Sequence, residues 1–438
     1  MSGLYLSLIL IFSVAIGRSF SDQKNYLGKS ASTIISGFFI ISFFIRPLYL
    51  WVLSPTNIFL LADSRISQYG NKLLDQSLQI CLLQVSAIFV TIKILSSLQN
   101  IGERKIAGTI DKSNGKFEIE KIWCYFLPFE FISAIALSFD RQNLWGATFV
   151  FGNLGIFTFY LFTNFKDRKN WKWLFIVSVW EIYAGIFLVQ SKFELYLPIF
   201  AILARYLRVK RLRRGLIQIV VVCLLFLTSF ATVQNLINKG FTYQRSAAIS
   251  QSESNAFNRI LYFSTITLLE RFDGFTSVID VAANPDIHLV TPVAQLNNFI
   301  RAALPIGPFI ANGQSTAQQW GNQYRGLRPD SKGRLTSVAF GPGAEGYSLA
   351  GTTGVIINSI IWAFMFWFVF GYLAIRSQSG LLYAIAILCT NNAVFENGLV
   401  SFASAINKAN QCLLFFWIIR YFQTRKNDIK LNSVDFEV

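Results

Sequence analysis

Long apolar runs recur along almost the whole of this 438-residue chain. A helix of about 20 apolar residues crosses the roughly 30 Å hydrocarbon core of a bilayer. In lipid, each run must pair its own backbone N–H and C=O groups, so we expect α-helices rather than strands. Only 14% of the residues are charged, whereas a soluble domain averages about 25%. The sequence therefore predicts an all-α polytopic membrane protein.

Eleven membrane spans are expected, separated by short polar connections and by one long one. They lie at about residues 3–17, 31–53, 76–97, 122–139, 145–163, 171–189, 193–207, 214–233, 351–375, 379–395 and 399–420. Residues 1–233 would hold the first eight spans, 234–350 a large loop, and 351–438 the last three spans and a tail. The five cysteines fall inside apolar runs without metal-ligand spacing, so no metal or cofactor is expected.

The distribution of basic residues predicts the orientation. One alternate set of connections carries 23 Lys and Arg, and the other carries 13, nine of them in residues 234–350. Because cytoplasmic connections are enriched in Lys and Arg, the richer set is assigned to the cytoplasm. The N-terminus is then outside, the C-terminus inside, and the large loop faces outward. The formal charge of +16 is thus mainly a topology signal, and nucleic acid is not an expected partner.

The large loop contains two segments with helical periodicity. Residues 255–272 place apolar side chains at spacings of three and four, and a second helix is expected from Val293 to Leu304, ended by Pro305. Arg271 and Asp273 follow the first of these helices. A planar guanidinium suits a phosphate or diphosphate, although Arg271 could instead pair locally with a carboxylate. Arg259 and Arg301 are further candidate substrate-binding residues.

A glycine-rich string leads into the ninth span. Glycines at 341, 343, 346, 351 and 354 surround Glu345 and Tyr347. Free backbone amides at the start of a helix can bind an anion, and Glu345 is a candidate general base for a sugar hydroxyl. The alternative is a loop-to-helix junction whose glycines permit tight packing. Tyr347 is a candidate substrate-binding residue.

Several cations near or within the spans are also candidates. Lys192 would lie at an outward junction, either binding substrate or extending to the membrane surface. Arg46 lies inside the second span. Because a charge within a span is costly, Arg46 is a functional candidate. It could hold a lipid diphosphate or pair with Glu130 or Glu181.

Layout and three short strings together resemble the bacterial O-antigen polymerases, also called oligosaccharide repeat-unit polymerases. The strings are Ser191-Lys192, where relatives often have Ser-Arg; Arg271-Phe272-Asp273-Gly274-Phe275; and Glu345-Gly346-Tyr347 followed by Gly351-Thr352-Thr353-Gly354. The layout covers most of the chain, whereas the sequence likeness covers only these strings.

This resemblance implies a GT-C-like membrane glycosyltransferase in a bacterial cytoplasmic membrane. Its substrates would be polyprenyl-diphosphate-linked oligosaccharides, and it would transfer a growing glycan to a new repeat unit on the outer face. No cofactor or metal would be required, and a chain-length regulator is a candidate partner. Arg271 and Lys192 would bind the diphosphate leaving group.

Three other functions remain open. An O-antigen ligase would need a loop histidine before the following span, where this chain has Gly341 and Pro342, and the single histidine, His288, lies upstream. A glycosyltransferase that uses a lipid-phosphate sugar would usually have paired acidic residues in an early outer loop. The non-enzymatic alternative is a polysaccharide flippase or transporter, which would favour internal repeats.

Overall fold

The computed structural model describes a helical protein. The described residues are 2–21, 35–48, 71–106, 132, 135–136, 183, 274–286, 291–304, 316–321, 340–369, 398–400, 402–403, 406–407 and 410. The helices are α1 (Ser2–Ser21), α2 (Ile35–Leu48), α3 (Asn71–Ile106), α4 (Gly274–Ala283), α5 (Pro292–Ala303), α6 (Thr316–Gln319) and α7 (Pro342–Trp367). Within these ranges no residue lies in an extended strand, as expected for an all-α protein.

Three of the described helices are long and apolar enough to cross a membrane. They contain the segments Ser2–Ser19, Lys72–Leu98 and Pro342–Trp367. The first two correspond to the predicted spans at 3–17 and 76–97. The third begins well before the predicted span start at 351, and the reason is a break within α7. The other predicted spans, and the orientation in the membrane, lie outside what these ranges determine.

Helix α1 lies along α3 and runs parallel to it. Near the start of both helices, Gln79 Nε2 donates a hydrogen bond to the Tyr5 hydroxyl over 2.8 Å. Farther along, the rings of Phe12 and Phe89 lie 5.5 Å apart. Two parallel spans require an odd number of crossings between them, which agrees with the single span predicted there.

Helix α2 contains one π-helical turn, Ile41–Ile45, directly before Arg46. The Arg46 backbone N–H donates to the Ile41 carbonyl oxygen. Such wide turns are rare in α-helices and are frequent at functional sites. Arg46 is only 5% exposed, so the turn places a cation inside the bundle.

Helix α4 is a buried helix that was not predicted from the sequence. All of its residues from Gly274 to Ala282 are buried, and it packs against α2, α3 and α7. Its polar residues Thr276, Ser277 and Asp280 share one face of the helix, and that face is buried as well. Gly274 packs against the ring of Phe43, because an added Cβ would lie 3.3 Å from that ring.

The predicted second helix of the large loop is confirmed as α5. It begins after Thr291, whose hydroxyl accepts a hydrogen bond from the Ala294 N–H over 3.2 Å, and Pro292 occupies the first turn. Both features stabilise a helix start. Leu304 ends the helix, directly before Pro305. The other predicted loop helix, residues 255–272, lies outside the described residues.

Candidate functional site

Helix α7 is broken at Ala350 and Gly351. Ala350 has φ −154° and ψ 32°, and Gly351 has φ 58° and ψ −143°. A positive φ with an extended ψ is readily adopted only by glycine. We call residues 342–349 the first arm of α7 and residues 352–367 its second arm. The break falls at the predicted boundary between the large loop and the ninth span.

The two arms fold back on each other. In a straight helix, residues eight apart are separated by about 12 Å. In α7, a Cβ added to Gly346 would lie 2.6 Å from the carbonyl carbon of Gly354, and one added to Gly354 would lie 2.8 Å from the carbonyl carbon of Gly346. Both positions therefore require glycine so that the backbones can touch. This close packing is the alternative role that the sequence suggested for the glycine string.

The first arm runs antiparallel to α3. Gln76, near the start of α3, donates from Nε2 to the Tyr347 hydroxyl over 3.1 Å. Eight residues later, the side chain of Gln84 packs so closely on Gly343 that an added Cβ would overlap it. Because the segment Lys72–Leu98 is a candidate span, the first arm enters the bundle beside a span instead of remaining outside it.

Glu345 lies on the first arm and is 3% exposed. Its Oε1 accepts a short hydrogen bond from Gln295 Nε2 of α5. Its Oε2 accepts one from the Leu399 backbone N–H over 2.8 Å and a longer one from Asn358 Nδ2 over 3.5 Å. A buried carboxylate is costly unless such donors replace water. Three separate parts of the chain thus converge on one side chain.

A second layer of contacts fixes these donors. The Thr316 hydroxyl of α6 donates to Gln295 Oε1 over 2.8 Å, which orients the amide so that its N–H group faces Glu345. Gly398 donates its N–H to the Phe340 carbonyl oxygen over 2.8 Å. A Cβ at Gly398 would overlap the Glu345 carboxylate, so this position also requires glycine. We call Glu345, Gln295, Thr316, Asn358 and the 398–399 backbone the Glu345 cluster.

The chemistry available to the cluster follows from its neutral donors. Among the described residues, the groups that donate to the Glu345 carboxylate are uncharged: they are the amide N–H groups of Gln295, Asn358 and Leu399, with the Thr316 hydroxyl beside them. Because the carboxylate is buried, a substrate hydroxyl could reach it only if one of these neighbours moved. The geometry therefore favours a positioning role, in which the carboxylate fixes the two arms of α7 against α5 and the 398–399 backbone.

The other predicted site residues are distributed differently. Arg46 is buried next to the π-turn of α2, and Arg301 is partly buried in the last turn of α5. The Tyr347 hydroxyl accepts a hydrogen bond from Gln76 Nε2. Outside the described residues lie Arg271, Asp273, Arg259, Lys192, His288, Glu130 and Glu181.

One packing contact links two of the predicted regions. Gly274 is the fourth residue of the string Arg271–Phe275, and it lies against Phe43, one helical turn before Arg46. The structure therefore brings this part of the arginine string beside the helix that carries the buried cation of α2.

The sequence interpretation missed the neutral members of the cluster. Gln295, Thr316 and Asn358 are each buried, whereas the site residues predicted from the sequence were, apart from Tyr347, all charged. An available signal was that a buried amide in an apolar helix also needs partners in lipid. Among the described residues there is no group of three His, Cys, Asp or Glu side chains that could hold a metal ion.

Comparisons with protein-family models, with curated proteins and with solved structures find no match to this chain.

Proposed function

We propose that the chain is a membrane glycosyltransferase that polymerises polyprenyl-diphosphate-linked oligosaccharide repeat units. The resemblance of its layout and strings to repeat-unit polymerases supports the reaction. The observation that carries the proposal is the Glu345 cluster, in which loop and span residues converge on a broken helix. Buried carboxylates within membrane segments are costly and usually functional, and non-helical backbone at that depth occurs where protein or a cavity surrounds it.

In this reaction, an acceptor hydroxyl loses its proton to a general base, and its oxygen bonds to the anomeric carbon of the growing glycan. The bond from that carbon to the diphosphate oxygen breaks, and the polyprenyl diphosphate leaves with the electron pair. Arg271 and Lys192 would stabilise the charge that develops on this leaving group. Arg46, Arg259, Arg301 and Tyr347 would contact the substrates.

Asp273 and Glu345 have different places in the proposal. Asp273 would orient Arg271. Glu345 as the general base stays a prediction, whereas its enclosed carboxylate supports a positioning role that holds the first arm of α7. On this view, the cluster keeps the glycine-rich entrance of α7 in one conformation while the arginines bind the diphosphate.

A polysaccharide transporter is the second candidate, because one observation favours it. Transporters often bind their substrate near the middle of the membrane, at helices that are discontinuous. Helix α7 is discontinuous at Gly351. The broken helix therefore supports both functions, and the arginine string distinguishes the polymerase.

Surface-glycan chain length separates the two functions. In the organism from which the chain comes, deletion of its gene should leave single repeat units on the surface if the chain is a polymerase. Loss of a transporter should leave no exported glycan. A wild-type ladder in the deletion strain would exclude the polymerase.

The Arg271 assignment needs its own variant. An Arg271→Ala chain at wild-type abundance should give single repeat units, and Arg245→Ala, in the same loop, should give the normal ladder. A normal ladder with Arg271→Ala would remove Arg271 from the site without excluding the function.

A further inference from the structure

Helix α5 carries a stripe of large apolar side chains that the protein leaves uncovered. Val293 is 70% exposed, Leu296 57%, Ile300 47% and Leu304 42%. We call these four residues the α5 stripe. At about 100° per residue they fall within about 80° of one another around the helix axis. The stripe is therefore a continuous apolar surface along the whole helix.

The opposite side of α5 faces the Glu345 cluster. Gln295 is the buried residue of this helix and lies about 145° around the axis from the centre of the stripe. The polar side chains Asn297, Asn298 and Arg301 lie on the flank between them. Helix α5 thus has three sides. Gln295 contacts the Glu345 cluster, the polar flank follows, and the α5 stripe is directed away from the cluster.

Both ends of α5 are joined to residues inside the helical bundle. Near its start, Gln295 donates to Glu345 on the first arm of α7, which lies beside the candidate span Lys72–Leu98. At its end, the Leu304 carbonyl oxygen accepts a hydrogen bond from Asn407 Nδ2. Asn407 is 5% exposed and lies well inside the predicted span 399–420. These two anchors hold α5 against the bundle.

A second exposed apolar surface lies on the second arm of α7. The second arm of α7 exposes Ile356, Ile357, Ile360, Ile361 and Phe364, as expected of a span that faces lipid. With 12 residues, α5 is about 18 Å long, little more than half of the roughly 30 Å hydrocarbon core. It is long enough to enter the membrane but not to cross it.

From the exposed stripe, its two anchors in the bundle and the half-membrane length of the helix, we propose that the α5 stripe lies against lipid acyl chains. Helix α5 is then a half-length helix inserted along the side of the bundle, within a segment that the sequence assigned to an outward-facing loop. Its backbone groups pair within the helix, and Thr291 and Asn407 satisfy groups at its ends, as lipid requires. The same helix seats its apolar face in lipid and holds the Glu345 carboxylate with Gln295.

Photocrosslinking tests this contact in the full chain. The purified protein carrying p-benzoylphenylalanine at Leu296 is reconstituted in phosphatidylcholine nanodiscs and irradiated. We expect the intact mass to rise by that of one phospholipid. The same group at Ile360, exposed on the second arm of α7, is the positive control, and at Asn298, on the polar flank of α5, the negative one. If the Leu296 variant does not fold, Ile300 on the same stripe replaces it.

Three results would overturn the proposal. A crosslinked dimer without a lipid adduct at Leu296 would show that a second copy covers the stripe. Absence of any adduct at both Leu296 and Ile300, with lipid adducts at Ile360, would place the stripe in water. Equal lipid adducts at Leu296 and Asn298 would also contradict the proposed orientation of the helix.

Discussion

The close contact between Gly346 and Gly354 predicts how an alanine at position 346 changes the stability of the protein. Whether that alanine stabilises or destabilises the protein depends on the break in α7. In Gly346→Ala, the new methyl group would lie 2.6 Å from the Gly354 carbonyl carbon and 2.8 Å from the Val355 nitrogen. Both atoms belong to the backbone, so no side chain can rotate away. The two arms of α7 must separate to admit the methyl group, and we expect the folded protein to lose stability.

The magnitude combines two opposing effects. An alanine in place of a helical glycine stabilises by about 0.5–1 kcal/mol when nothing obstructs it. Forcing an extra carbon into a packed site costs about 1–3 kcal/mol, or more where the backbone must shift. Because the atoms that obstruct a methyl group at Gly346 belong to the backbone, the cost of crowding exceeds the gain from alanine. We expect a net loss of about 1–2 kcal/mol.

Two matched variants separate crowding from backbone conformation. Gly37→Ala lies in α2 with no atom within 4 Å of the new methyl group, so its stability should stay the same or rise. Gly351→Ala also meets no neighbour, but it retains φ 58° with ψ −143°, which costs a non-glycine residue about 1–3 kcal/mol. Gly354→Ala should resemble Gly346→Ala.

The assay is the thermal unfolding midpoint of the purified full chain in one detergent, followed by tryptophan fluorescence. The expected order is Gly37→Ala at or above wild type, and Gly346→Ala, Gly354→Ala and Gly351→Ala below it. A straight α7 would reverse this order, because all three glycines would then be ordinary helix positions that alanine stabilises. A midpoint for Gly346→Ala at or above that of Gly37→Ala would refute the broken helix.

Three further predictions concern the surroundings of Glu345. Glu345→Gln should destabilise the protein by about 1–3 kcal/mol, as measured by the thermal midpoint. One amide oxygen cannot replace two carboxylate oxygens, so either the Leu399 N–H or the Gln295 amide loses its acceptor. Gly398→Ala should lower the midpoint in the wild-type chain but have a smaller effect in a Glu345→Ala background, where the carboxylate is gone, and a double-mutant cycle measures the coupling. Tyr347→Phe removes one partly buried hydrogen bond and should cost about 0.5–1.5 kcal/mol.

Each of these has a contradicting result. An unchanged midpoint for Glu345→Gln would show that Glu345 is not held by its donors. Equal effects of Gly398→Ala in both backgrounds would separate Gly398 from the carboxylate. A loss of surface-glycan polymer in Tyr347→Phe, with a midpoint near wild type, would assign Tyr347 to substrate binding rather than to packing against α3.

Local patterns predicted the elements whose cause is local. The apolar runs of α1 and α3 gave their spans, since a span must be apolar on the whole of its lipid-facing surface. Helix α5 was predicted from Val293 to Leu304 with its end at Pro305, and the structure adds Thr291 and Pro292 as the residues that fix its start. By contrast, α4 was not predicted: its polar residues Thr276, Ser277 and Asp280 share one face, but the tertiary structure buries that face with the rest of the helix.

For the candidate site, part was predicted from the sequence and part was not. The glycine string and Glu345 were recognised as unusual, but the sequence left open whether the glycines served chemistry or packing. The donors to Glu345 come from positions 13 to 54 residues away along the chain. No periodicity relates such distant positions, and a neutral glutamine or asparagine does not stand out beside charged candidates.

By itself, the sequence determined that this is a helical membrane protein, where several of its helices lie, and that residues 341–354 differ from an ordinary span. These properties follow from hydropathy, from capping residues and from composition, which act within a few residues of chain. Only the tertiary structure decided that α7 folds back at Gly351, that its first arm lies beside α3, and that Gln295, Asn358 and Leu399 share one buried carboxylate. Burial of that charge is stable only when its donors are present, and those donors come together only when the whole bundle has formed.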